Sequence, residues 1–410
     1  LNDSPQMSLA DIMKLAATNI GDRGKIIACE QNLETLLKIL EVRARYNVIS
    51  KQMEIQIPGQ SFSVDNATNS ALAWITSRIK EVGMDCAYHR EYLSLISDKN
   101  QYNPVQNWIL SRAWDGRTRL PDLYETIKST NEKAKQLLIF RWMIGAVALA
   151  CSPDGIDSSG ILVLQGDQGL GKTWWFRKLV PKDSLPNVTR ADATINPHDK
   201  DSVNQAITYW LVELGELDAT FKRSEIAALK SFITREYDIF RRPFMPADSK
   251  FPRRTAFLAS VNTKQYLVDE TGNRRFWTIE CLAIDSYHTI DMQQLWAELH
   301  EKWMGGESYQ LTEEEKTIVN NINKEHITTD PISEMIMTKY DWTTDQSFWR
   351  EATATEILEE MGVRRISKAE LRTCAATIRD LNGNQETRKN NGRFLLLPPK
   401  KGGFIYDSQH

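Results

Sequence analysis

One thirteen-residue stretch, Ile161 to Thr173 (ILVLQGDQGLGKT), limits what this chain can fold into more than any other. Its four apolar residues, Ile161 to Leu164, read as a buried strand. The glycines that follow, with Lys172 and Thr173, fall at the spacing G-x-x-x-x-G-K-T of a phosphate-binding loop. Glycines at 166, 169 and 171 let the backbone turn tightly enough for successive N–H groups to face phosphate oxygens. The helix expected to start near Lys172 offers its positive end to the same anion. Lys172 suits the β- and γ-phosphates, and the Thr173 hydroxyl suits Mg²⁺. The expected nucleotide contacts are therefore Gly166, Asp167, Gln168, Gly169, Leu170, Gly171, Lys172, Thr173 and Trp174, with ATP and Mg²⁺ as cofactors. The expected fold class is α/β, with a P-loop NTPase core.

Three later segments supply groups that such a loop needs. In TYWLVELGELD, Tyr209 to Val212 reads as a buried strand delivering Glu213, Glu216 and Asp218 at its carboxyl end, where open α/β sheets bind ligands. A carboxylate there can hold Mg²⁺ through water or orient the attacking water. Glu216 is favoured with Glu213 close behind, and spacing alone does not separate them. In TAFLASVN a second apolar strand ends on Asn262, whose amide can bond the γ-phosphate or the lytic water. In DETGNRRFW, Arg274 and Arg275 follow a Gly-Asn turn, and either guanidinium could serve as an arginine finger. Between these lies REYDIFRRPFMPADSKFPRR, a stretch rich in arginine whose three prolines exclude a helix. It reads as a hairpin or loop with basic and aromatic tips. Arg241, Arg242, Lys250, Arg253 and Arg254 are the expected contacts to single-stranded DNA, the alternative being a merely solvated basic loop.

The order P-loop, acidic strand, basic hairpin, asparagine strand and arginine pair resembles a superfamily 3 helicase core. The wording is more similar still to the virulence-associated protein E family of phage and mobile-island replication proteins, related to phage and poxvirus primase-helicases. NPVQNWILSRAWDG, LQGDQGLGKT, WLVELGELD, RRPF…FPRR, SVN and YLVDETGNRRFW carry the resemblance, over about residues 103–311. It implies an AAA+-like, DNA-dependent ATPase assembled as a ring, with a hexamer expected and ATP at subunit interfaces. Lys172, Thr173, Glu216 and Asn262 would then serve one face of the interface, and Arg274 or Arg275 the neighbour's site. Superfamily 3 strands commonly end in adjacent acids, whereas Leu214 and Gly215 separate Glu213 from Glu216 here. Many relatives also carry a primase domain; this sequence shows no primase-type carboxylate pair, so a separate primase is an expected partner. An initiator that uses ATP only as a switch to assemble on an origin is the competing reading.

The flanks are less specific. Residues 1–100 are expected to form a mainly helical accessory domain, with Leu33, Leu36, Leu37 and Leu40 as a helical stripe and a short hairpin near YNVISKQMEIQIP. Residues 101–155 form a helical collar including the apolar run EKAKQLLIFRWMIGAVALA; 156–311 the ATPase core; 312–345 a linker and helix. Residues 346–410, two helices and a hairpin, are expected to be winged-helix-like. From Gly362 onward ten Lys and Arg stand against four acids, although the whole chain carries a net −3. That local surplus points to duplex origin DNA, through Lys368, Arg372, Arg379 and Lys389. Five scattered cysteines fit no metal spacing and are expected to be reduced. No apolar run is long enough to span a membrane and no signal-peptide layout opens the chain, so the cytoplasm of a bacterial host is the expected location.

Overall fold

A computed structural model describes residues 7–196, 199–215, 223–240, 248–267, 273–327, 331–389 and 392–401. The chain is a mixed α/β protein that divides into two units. One comprises Leu1–Lys264 and Thr271–Lys324, the other Gln265–Glu270 and Glu325–His410.

The first unit opens with helices Leu9–Ala16, Glu30–Ile39, Ala67–Glu81 and His89–Lys99 around a small sheet of β1 (Arg43–Asn47), β2 (Gln52–Gln56) and β3 (Gln101–Tyr102), in the order β2-β1-β3. The leucine stripe falls inside as expected: Leu33, Leu36 and Leu37 are buried with Ile75, Ile79 and Leu93. The hairpin turn after β1 leaves this cluster, and Ile49 joins the main core instead.

That main core surrounds a six-stranded sheet. Its members are β4 (Ile127–Ser129), β5 (Ile161–Gln165), β6 (Thr189–Ala193), β7 (Leu211–Leu214), β10 (Ala256–Val261) and β11 (Phe276–Ile284). Between β7 and β10 the chain makes a separate antiparallel pair, β8 (Tyr237–Phe240) and β9 (Ser249–Pro252). The sheet order is β4-β11-β5-β10-β7-β6, with β11, β5, β10, β7 and β6 mutually parallel and β4 antiparallel on β11. Every residue of β5 and of β7 is buried, as a parallel strand covered on both faces requires.

Helix Glu132–Cys151 lies within this core. It is long and apolar enough to cross a bilayer, yet 72% of its apolar window is buried in the protein. Indole donors tie the layers together. Trp142 Nε1 donates to Phe257 O at 2.7 Å, Trp210 Nε1 to Ala146 O at 2.9 Å, and Trp296 Nε1 to Leu179 O at 2.8 Å. A buried Trp without such an acceptor would forfeit about 1–3 kcal/mol, so these bonds fix how the helices sit on the sheet.

The second unit has its own core of Ile336, Tyr340, Ile357, Leu358, Cys374, Ile378, Leu395 and Leu397. Helix Pro331–Lys339 precedes β12 (Arg350–Ala352). Helices Ala354–Glu360 and Lys368–Leu381 follow, and then β13 (Glu386–Lys389) and β14 (Gly392–Leu397), in the sheet order β12-β14-β13. Both middle helices start on a complete capping box, Thr353 with Glu356 and Ser367 with Glu370.

Candidate functional site

The glycine-rich loop joins β5 to helix Lys172–Lys178 above the carboxyl end of the parallel strands. Two of its glycines are obligatory for different reasons. A Cβ on Gly166 would come 2.6 Å from Cys281 O, so only a bare backbone fits against β11. Gly171 has φ +90°, a left-handed conformation that costs any other residue. Asp167, Gln168 and Gly169 are exposed, Leu170 is half-buried, and Trp174 is 62% exposed with the Arg177 guanidinium 5.3 Å from its ring centre.

Four expected residues, Lys172, Thr173, Glu213 and Asn262, meet at the loop. Lys172 folds back into it, its Nζ donating to Gly166 O at 2.7 Å, Asp167 O at 2.9 Å and Asn262 Oδ1 at 3.0 Å. The ammonium thus sits in a cradle of carbonyl and amide oxygens that an incoming anion could replace. Thr173 Oγ1 donates to Glu213 Oε1 at 2.8 Å, and the Ser260 hydroxyl donates to the same oxygen.

Glu213 belongs to the strand itself, because β7 runs Leu211–Leu214 rather than Tyr209–Val212, and it is fully buried. Its Oε2 is buried without a hydrogen-bond partner. Burial raises its pKa, opposed by the Ser260 and Thr173 hydroxyls; nearby Asp192 adds a charge that also raises it. Burial therefore disfavours its ionised form, which a cation at the carboxylate would stabilise. Among the described residues no cluster of three or more acid, His or Cys side chains stands ready to hold a metal alone. A Mg²⁺ ion shared between Thr173, Glu213 and phosphate oxygens fits this donor set, since Mg²⁺ typically takes one or two carboxylates with substrate oxygens. Glu216 lies outside the described residues.

Ser260 was legible only in hindsight. It stands on β10 two positions before Asn262, which follows the strand's last residue, and its hydroxyl interrupts an apolar run.

The remaining expected residues are dispersed. Arg274 is exposed and Arg275 half-buried, in the short turn before β11. Because Phe276 pairs with Ile161 at the start of β5, both arginines lie at the amino edge of the sheet, opposite their own glycine loop. At ~3.3 Å per residue, five strand residues put that separation at roughly 16 Å. Neither arginine reaches the loop of its own chain.

In the hairpin, Lys250 is exposed with its ammonium 3.6 Å from the Tyr237 ring centre, and Arg241 and Arg242 lie outside the described residues. Arg253 and Arg254 require correction as DNA contacts. Arg253 is 1% exposed, pairs with Asp238 through Nε and Nη2 at 2.7 Å each, and lies 4.3 Å over the Phe232 ring. Arg254 donates from Nη1 to Ser152 O at 2.7 Å and to Ala150 O at 3.3 Å, binding carbonyls at the end of helix Glu132–Cys151. Arg253 holds the fold, because a cation buried against a core must be paired, and half-buried Arg254 is engaged by backbone carbonyls.

In the second unit, Lys368 and Arg372 are exposed, Arg379 pairs with Glu386 at 2.8 Å, and Lys389 pairs with Glu351. Arg388 and Arg393, both exposed, are direct cross-strand partners on β13 and β14. Like charges so placed repel, which an anion between them would relieve.

No curated protein matches the chain. Among solved structures it is similar to the apo structure of the NrS-1 C-terminal region (305–718), at 13% identity and TM-score 0.43, over 89% of this chain and 98% of that one. The A form of the same apo region aligns at 12% identity and TM-score 0.45, over 90% and 98%. The model of the virulence-associated protein E-like domain matches residues 109–328, more than half of the sequence and all six strands of the large sheet, and on that match the chain belongs to the virulence-associated protein E-like family.

Proposed function

We propose that this chain is an ATP-driven DNA helicase of a phage or mobile genetic element, a superfamily 3-like P-loop NTPase acting in the cytoplasm of a bacterial host. The observation that carries the reading is the meeting of Lys172, Thr173, Glu213, Ser260 and Asn262 at the carboxyl ends of β5, β7 and β10. ATP would lie on Gly166–Thr173, with Lys172 leaving its carbonyl cradle for the β- and γ-phosphates. Mg²⁺, held by Thr173 and Glu213, would supply charge neutralisation on those phosphates. Glu213 or Glu216 would orient the attacking water, and Asn262 would face the γ-phosphate.

The arginine turn favours a ring, with a hexamer as the expected size. An exposed Arg274 at the far edge of the sheet can serve a triphosphate only on a neighbouring subunit. The second unit's order, helix–strand–helix–helix–strand–strand, supports a winged-helix reading in which Lys368, Arg372, Arg388 and Arg393 approach duplex origin DNA. Single-stranded DNA would follow the hairpin through Lys250, Arg241 and Arg242. A separate primase remains the expected partner.

The test is strand displacement on a forked duplex. Lys172→Ala should abolish both ATP hydrolysis and displacement, and mixing it with Arg274→Ala should restore part of the hydrolysis if the site is shared between subunits. Displacement that persists in Lys172→Ala would sink the helicase reading. The independent core of the basic second unit favours one alternative, an ATP-switched origin-binding initiator. ATP-dependent duplex binding by the wild type without any displacement would select it.

A further inference from the structure

The arginine turn before β11 is held by a residue almost fifty positions further along the chain. Asn323, near the end of helix Glu313–Lys324, is 1% exposed. Its Nδ2 donates to Asn273 O at 2.7 Å and to Phe276 O at 2.9 Å, and its Oδ1 accepts from Thr278 Oγ1 at 2.8 Å. Two carbonyls can be met only by the nitrogen end of an amide, so the chemistry fixes which way Asn323 faces. The carbonyls between are enclosed as well. Trp277 Nε1 donates to Arg274 O at 3.1 Å, and a Cβ on Gly160 would come 2.8 Å from Arg275 O. The backbone of the turn is thereby fixed while the Arg274 side chain stays exposed.

The place of this clamp in the chain gives it a task. The chain returns from the second unit to the first at Glu270–Thr271 and leaves again at Lys324–Glu325. Asn273 stands two positions inside the first crossing and Asn323 one position inside the second. The approach to the turn therefore belongs to a separate unit, and β4 pairs with β11 only from Cys281 onward. Asn323 secures the interval that neither the preceding chain nor β4 reaches.

We propose that Asn323 is a positioning residue for hydrolysis in the neighbouring subunit: by clamping Asn273 and Phe276 it sets the direction from which the turn's arginine, Arg274 in the reading above, meets the neighbour's triphosphate. The proposal rests on that shared-site reading. A guanidinium that neutralises charge on a departing phosphoryl group acts in the transition state, so loosening its base lowers kcat and leaves ATP binding alone.

Steady-state ATP hydrolysis by the full chain with single-stranded DNA present is the measurement. Asn323→Ala should lower kcat about 10–100-fold with KM for ATP within about twofold of wild type, because a small misplacement of a reacting group costs up to that much. Mixing Asn323→Ala with Lys172→Ala should restore part of the hydrolysis, as mixing Arg274→Ala with Lys172→Ala should. In such mixtures the Lys172→Ala subunit brings an intact turn to its neighbour's intact loop. An amide that only stabilised its own subunit would give no restoration. Thr278→Val, which removes the hydroxyl that steadies the amide, should act in the same direction and carries the test alone if Asn323→Ala does not fold. A folded variant with wild-type kcat, or one that Lys172→Ala fails to restore while it restores the arginine variant, overturns the positioning role and leaves the shared site standing. If Lys172→Ala restores neither Arg274→Ala nor Arg275→Ala, the shared site itself fails and the positioning role fails with it.

Discussion

The carboxyl edge of the large sheet and the base of the hairpin Tyr237–Pro252 both gather polar side chains beneath an apolar core, with opposite consequences. At the sheet edge, groups 40 and 90 positions apart are drawn together, and one of them, Glu213, is left with an oxygen unsatisfied. At the hairpin base, Arg253 finds a carboxylate with two matching oxygens and an aromatic face, with its Nη1 left without a partner. The first arrangement lacks the counter-charge that a cation would supply; the second already holds its ion pair. Charge type alone did not separate them, since both stretches looked functional as sequence.

The largest effect should come from breaking that ion pair. Arg253→Ala leaves Asp238 buried and unpaired, and urea unfolding should register a loss of about 3–5 kcal/mol. A stable variant that lost only DNA binding would mean that Arg253 is a DNA contact after all, and the contrast would break.

Next comes Glu213→Gln, which keeps the shape but removes the charge. ATP hydrolysis should fall by about 10²–10³-fold if Glu213 is the working base, as steady-state rates would report. If Glu216 holds that role the fall will be smaller, and the pair of variants then sharpens the assignment. The same substitution has a pH signature. The folded pKa of Glu213 lies above its ordinary 4.5, so the neutral carboxyl contributes stability that is complete below that value and lost as pH rises through the folded pKa. Unfolding of the nucleotide-free protein over a pH series should show this loss in wild type and its absence in Glu213→Gln.

The smallest effect separates paired from unpaired cations in the second unit. Arg388→Ala and Arg393→Ala should each flatten the salt dependence of duplex binding by about one unit of slope. Lys389→Ala, already neutralised by Glu351, should change it least. Equal slopes for all three would mean that the hairpin does not meet phosphate.

Much of the site was legible because its signals are local. The spacing from Gly166 to Thr173 is imposed by the backbone path around an anion, and the apolar runs before Glu213 and Asn262 are imposed by a sheet buried on both faces. Ser260 was not legible, because one serine in a strand becomes part of a site only when β7 is its neighbour. Arg253 misled for the same reason in reverse: a basic run does not say which of its members faces inward.

The sequence by itself determined the strand–loop–helix unit, the apolar strands that flank it and the basic surplus at the end of the chain, since each depends on residue order within a few positions. Tertiary structure alone decided that β10 lies between β5 and β7 and so brings Asn262 to Lys172, and that Arg274 starts from the far edge of the sheet. Those outcomes depend on which strands pair and which side chains lose water, and both are settled by packing between segments remote in the chain.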